Sequence, residues 1–139
     1  MKPANDDDEF IRQFEACTLP AECFHHRDHV KLAWLYLQRH SLLETLAKFS
    51  EGIKRFARTH GKNNLYHETI TWAYVFLIHE RIKRAGGEQS WEEFAAANPD
   101  LLNWQTSILK SLYREETLRS ELARKIFVLP DQAQAAGAK

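Results

Sequence analysis

Phe24-His25-His26-Arg27-Asp28-His29-Val30-Lys31-Leu32-Ala33-Trp34 packs three of the chain's seven histidines into five positions and then continues as an apolar segment. With a helical start near His26, the residues His26, His29, Val30, Ala33 and Leu37 follow the i, i+3, i+4, i+7 spacing that lines one face. His29 points inward in any such register. His25 can join it by the i, i+4 relation and His26 by the i, i+3 relation, and either spacing brings two imidazoles to one point without bending the backbone. The helix runs to about Arg39, and its content of Val30, Ala33, Trp34, Leu35, Tyr36 and Leu37 is too apolar for a lightly packed surface helix.

Working outward, the same period recurs on both sides. Upstream, the acidic run Asp6-Asp7-Asp8 suits the positive end of a helix dipole and precedes the stripe Phe10, Ile11, Phe14, giving a first helix over about residues 7–16 that Thr18-Leu19-Pro20 breaks. Downstream, Ser41 with Glu44 forms a capping box for a third helix carrying Leu42, Leu43, Leu46, Phe49, Ile53 and Phe56, closed by Gly61. A fourth helix over about residues 66–82 is apolar all round in its middle, which predicts the most buried helix of the fold. Gly86-Gly87 ends it. Ser90 and Glu93 cap a short fifth helix, Pro99 opens a sixth that extends to about Tyr113, and a last one covers about residues 116–127. No period-two stretch, internal repeat or Gly-rich phosphate loop occurs. The expectation is therefore an all-α, compact single-domain bundle of six or seven helices over residues 9–130, with disordered segments at 1–8 and 131–139.

Length and charge remove several classes of function. A chain of 139 residues suits one hydrophobic core, and nineteen Lys and Arg against nineteen Asp and Glu leave no net charge to draw it to nucleic acid or an acidic membrane surface. The longest apolar run, Trp72 to Ile78, falls far short of the ~20 residues of a spanning helix. No secretory signal pattern opens the chain, so a cytoplasmic setting is expected, with Cys17 and Cys23 reduced. Both cysteines read as small buried hydrophobes, with Cys23 also weighed as a soft metal ligand beside the histidines.

Imidazole is a common metal ligand in its neutral form, and a centre needs three or four such groups. The second helix offers His29 with His25 or His26, and the first turn of the fourth offers His67 and Glu68. Together these predict a divalent transition-metal site for zinc, iron or copper with an open position, in an enzyme acting on a small molecule, with Glu68 and His29 as catalytic groups. The metal-free alternative is an acid–base or ligand-binding pocket for a small aromatic or carbonyl compound, walled by aromatic residues among Trp34, Tyr36, Tyr66, Trp72, Tyr74 and Phe76. A third reading is a non-catalytic interaction module. His79 lies ~18 Å along the helix from His67 and cannot share a centre with it. His40 and His60 sit at helix ends, where the dipole alone accounts for them. His67→Ala is expected to cost little stability. No Glu-x-x-His or His-Glu-x-x-His pair occurs, which argues against a ferritin-like di-iron centre and a zinc protease.

The blocks Phe24-His25-His26-Arg27-Asp28-His29-Val30 with Ala33-Trp34, and Tyr66-His67-Glu68-Thr69-Ile70-Thr71-Trp72-Ala73, resemble those of a group of short, uncharacterised bacterial helical proteins. Ala123-Arg124, Phe127-Val128 and Pro130-Asp131 extend the likeness over most of the chain. The resemblance implies one domain and a site made by the two histidine blocks, and it carries no activity with it.

Overall fold

The structure is a computed structural model that describes residues 6–132, apart from the side chain of Asn63. Among the described residues the fold is all-α, with eight α-helices, three short 3-10 helices and no strand. The chain divides into two compact units, residues 1–66 and 67–139. No helix among the described residues is long and apolar enough to cross a membrane.

The first unit holds α1 (Asp6–Glu15), α2 (His26–Arg39) and α3 (Leu42–Thr59), with 3-10 turns at Ala21–Cys23 and Asn63–Leu65. Asp6, Asp7 and Asp8, expected within a disordered arm, form the first turn of α1, where their charge favours the dipole. Two of them also reach α2: Lys31 pairs with Asp7 at 3.1 Å and Arg39 with Asp8 at 2.6 Å. Tyr36 donates from its hydroxyl to Glu15 at 2.6 Å, and burial together with that carboxylate pushes the phenol above its ordinary range. α1 ends in a left-handed residue that is not glycine. Cys17 takes φ 61, and the Cys17 and Thr18 amides return to the carbonyls of Phe14 and Gln13. Cys17 is half-buried and Cys23 exposed, so neither is the buried hydrophobe expected of it.

α1 packs on α3 at a glycine. A Cβ on Gly52 would stand 2.5 Å from Cε2 of Phe14, whose ring is fully buried, so the close approach of the two helices requires a residue without a side chain there. α3 begins at the Ser41–Glu44 capping box and ends in a Schellman motif: Gly61 is left-handed at φ 71, its amide donates to Arg58, and the Lys62 amide donates to Ala57 at 2.7 Å. His60 is the residue at this helix end, following the buried stripe Phe49, Ile53, Phe56.

The second unit is built on α4 (Glu68–Ala85), followed by α5 (Trp91–Ala97), α6 (Pro99–Leu102), α7 (Glu115–Leu118) and α8 (Glu121–Lys125), with a 3-10 turn at Ile108–Ser111. α4 packs on α8 and buries Thr69, Ala73, Tyr74, Val75 and Ile78, and Gly86 terminates it at φ 80. Arg81 forks onto Asp100 at 2.7 and 3.1 Å and also reaches Asn98, tying α4 to the start of α6. The long helix expected over residues 99–113 stops at Leu102, where the Asn103 side chain accepts the Thr106 amide and turns the chain. The helix expected over residues 116–127 is two short ones, because Ser120 starts a new one by accepting the Ala123 amide.

The segment after α8 is held by side chains. Thr69, fully buried, donates to the Ile126 carbonyl at 2.8 Å and accepts the Val128 amide at 3.0 Å, while Tyr113 donates to the Val128 carbonyl at 2.6 Å. Asp131, expected in a disordered tail, accepts the Arg114 amide at 2.9 Å and the Thr117 hydroxyl, and so caps α7. Residues 1–5 and 133–139 of the two expected disordered segments lie outside the described residues.

Candidate functional site

The histidine block opens α2 as the spacing predicts. His25 is the residue before the helix, and it forms a capping box with Asp28, whose carboxylate accepts the His25 amide at 2.9 Å. His25 is thereby exposed, His26 is the first helical residue, and His29 lies one turn on, against the preceding loop.

His29 stacks on Phe24 with ring centroids 4.0 Å apart and planes 22° from parallel. From that contact a continuous array of rings extends. Phe24 meets Phe56 edge-on at 4.9 Å, Phe56 meets His60 at 4.3 Å, and Phe14 lies behind both phenyl rings at 5.4 and 5.9 Å. Two imidazoles thus flank a pair of phenyl rings. One cavity of about 220 Å³ opens along this array, walled by Phe24, His29, Phe56 and His60, with Lys62 and Tyr66 also lining it. All of these residues belong to the first unit. Lys54 sits over the Tyr66 ring at 5.3 Å from its centroid, a cation–π contact beside the cavity.

The two imidazoles differ. An edge of His29 touches solvent, yet protein surrounds the ring closely enough for desolvation to dominate, and its pKa is lowered to about 4. The neighbouring His26 lowers it further, while Asp28 and a backbone hydrogen bond with Phe24 oppose the shift. His29 is therefore neutral at physiological pH. Nε2 of His60 is buried with no hydrogen-bond partner, one of three such side-chain atoms among the described residues, with Thr45 Oγ1 and Trp72 Nε1. An unsatisfied buried nitrogen costs about 1–3 kcal/mol, and His60 is among the residues that line the cavity.

His29 makes acid stability testable. Its folded pKa lies below the unfolded value of 6.5, so between about pH 6.5 and pH 4 the unfolded chain binds the proton that the folded chain refuses. The contribution is fully present above pH 6.5, is lost as pH falls to about 4, and is flat below that. A loss of up to about 3 kcal/mol across the window is expected from urea unfolding at stepped pH. His29→Phe, which keeps a ring against Phe24, should make the profile shallower there, leaving the smaller share that belongs to His67. A wild-type profile already flat between these values would refute the assignment.

In the second unit His67 is the residue before α4. Its Nδ1 accepts the Ile70 amide at 3.1 Å, so the proton is on Nε2, which donates to the Leu118 carbonyl at 2.7 Å. Burial lowers its pKa, with the Leu118 hydrogen bond opposing. Both ring nitrogens are occupied by the backbone. Glu68 is the first residue of α4 and half-buried. Among the described residues no three His, Cys, Asp or Glu side chains form a group that could hold a metal ion. Within each unit three of the expected donors have local partners. His25 belongs to a cap, His29 lies against a phenyl ring, and His67 has no free lone pair.

Of the aromatic residues expected to wall a pocket, Tyr66 lines the cavity, whereas Trp34 and Tyr36 are buried in the first unit and Tyr74 bonds Ser107 at 2.7 Å in the second. His60 is the site residue that reasoning from helix ends passes over. No family model, no curated protein and no solved structure matches this chain.

Proposed function

We propose that the first unit binds a small single-ring organic compound in the cavity between His29 and His60, without a metal ion. The observation that carries this reading is the ring array itself, two imidazoles and two phenyl rings bordering one open cavity. The lining is mostly carbon with a few polar groups, the usual make-up of a small-molecule site. A volume of about 220 Å³ lies below that of sites for drug-sized ligands and above the ~150 Å³ that accommodates benzene, which selects a substituted single ring. The low basicity of His29 favours binding over proton transfer. A general base works best with a pKa near the working pH, and one at about 4 is a weak base at pH 7.

Titration of the full chain with acetophenone, followed by amide shifts, tests this. Shifts that saturate at Ala21, His29, Ala57 and His60 are expected, with a Kd of about 1 mM or tighter, equivalent to roughly −4 kcal/mol. Shifts that never saturate, or that centre on residues away from this cavity, would reject it. Stabilisation of the chain by zinc, iron or copper alone would favour instead the metal-dependent enzyme that uses His29, His67, Glu68 and one of His25 and His26.

A further inference from the structure

We infer that the ligand of this cavity is an aryl carboxylate, its ring against the aromatic walls and its carboxylate at the mouth beside Lys62. The inference rests on the pocket reading above and goes further by fixing the charge of the ligand. The residues that line the cavity include one lysine, Lys62, and no aspartate or glutamate. His29, with its pKa lowered to about 4, is neutral at physiological pH and supplies no charge of its own. Backbone hydrogen bonds root Lys62 at the edge of the cavity: its amide donates to the Ala57 carbonyl at 2.7 Å, and its carbonyl accepts the Leu65 amide at 2.9 Å. Its side chain is exposed and also lines the cavity, so it belongs to the mouth and not to the floor. Tyr66 follows the 3-10 turn Asn63–Leu65 and lines the cavity as well, with the Lys54 ammonium 5.3 Å from its ring centroid and exposed Glu51 3.9 Å from that ammonium. Lys54 thus adds a second positive charge near the same edge. A carboxylate held there keeps much of its water, which avoids the cost of burying a charge, while the ring it carries gains the apolar lining.

The sign of one preference decides the matter. Phenylacetate and benzylammonium share a ring and a methylene group and differ in the sign of their charge, so the ratio of their affinities reads the electrostatics of the mouth with the burial of the ring cancelled. An exposed charge pair contributes a small factor, but attraction of one ion and repulsion of the other multiply, and phenylacetate is expected to bind the full chain about threefold or more tightly than benzylammonium at neutral pH and low salt. Amide shifts at Ala21, His29 and Ala57 report both titrations. The ratio should fall toward one in ~1 M salt, where screening acts over about 3 Å. Lys62→Gln should lower the ratio, and Lys62→Glu should reverse it in favour of benzylammonium. The Lys62 side chain is exposed and its two hydrogen bonds are made by the backbone, so both variants are expected to fold. Benzylammonium binding as tightly as phenylacetate, or a ratio unchanged in Lys62→Glu, would overturn the inference while leaving a pocket that acetophenone and toluene still report. Failure of acetophenone, toluene and both ions alike would remove the pocket reading and this one with it.

Discussion

Val75→Asp is expected to unfold the second unit, while His67→Ala, only eight positions earlier, is expected to weaken it and leave it folded. Val75 is 0% exposed in the middle of α4, and the carboxylate would replace a fully buried apolar group. An unpaired charge in such a position costs several kcal/mol, comparable to the whole stability of a small domain. His67 is half-buried at the helix start, and its removal has two smaller consequences: the Ile70 amide loses its cap and the Leu118 carbonyl loses its donor. A lost cap costs about 0.5–2 kcal/mol, and the carbonyl, near the surface, can turn to water. A total of about 1–3 kcal/mol follows, more than a free helix-end histidine would cost. Urea unfolding of the full chain, with amide signals assigned to residues 67–132, separates the two variants. Equal severity would make His67 part of the core.

The fold class and most helix starts were legible because they depend on chemistry within a few residues. Ser41 with Glu44, and Ser90 with Glu93, form the capping boxes their spacing announces, and Gly61 and Gly86 take left-handed φ where each helix ends. α2 spans His26–Arg39 because apolar periodicity and the Asp28 cap agree. The C-terminal helices were less legible. The periodicity over residues 99–113 continues past Leu102, but the Asn103 side chain takes the Thr106 amide, a competition that apolar spacing alone does not reveal. Ser120 is a cap signal in plain view, yet it lies inside an apolar period that reads as continuous.

The candidate site was legible in its first half. His29 faces inward as its spacing requires, and its basicity drops for the reason burial gives. His60 was hidden by its place at a helix end, which invites an explanation from the dipole. A better signal was available: His60 follows Phe49, Ile53 and Phe56 at intervals of four, three and four residues, continuing the buried stripe of α3. What no local pattern conveys is that Phe24, from the loop before α2, inserts its ring between His29 of α2 and Phe56 of α3. That contact is tertiary, and it turns two separated histidines into one wall.

Phe24→Ala therefore has the largest expected effect on the first unit. The ring is 8% exposed and touches Phe10, Phe14, Phe56 and His29, so its loss leaves a void at the meeting point of all three helices. A change of this kind costs about 3–5 kcal/mol, part of it for apolar transfer and part for the cavity left behind. His29 loses the surface that keeps its ring dry, and its pKa should climb from about 4 toward the ordinary 6.5. The acid-sensitive window between these values should narrow with it. The void also offers a test by refilling, since an apolar cavity of this sort accepts a ring from solution. Toluene should raise the Tm of Phe24→Ala more than that of the wild type, because it replaces the missing phenyl group in the variant. If the His29 pKa stayed at about 4 in the variant, something other than Phe24 would keep that imidazole neutral, and the ring array would no longer explain the site.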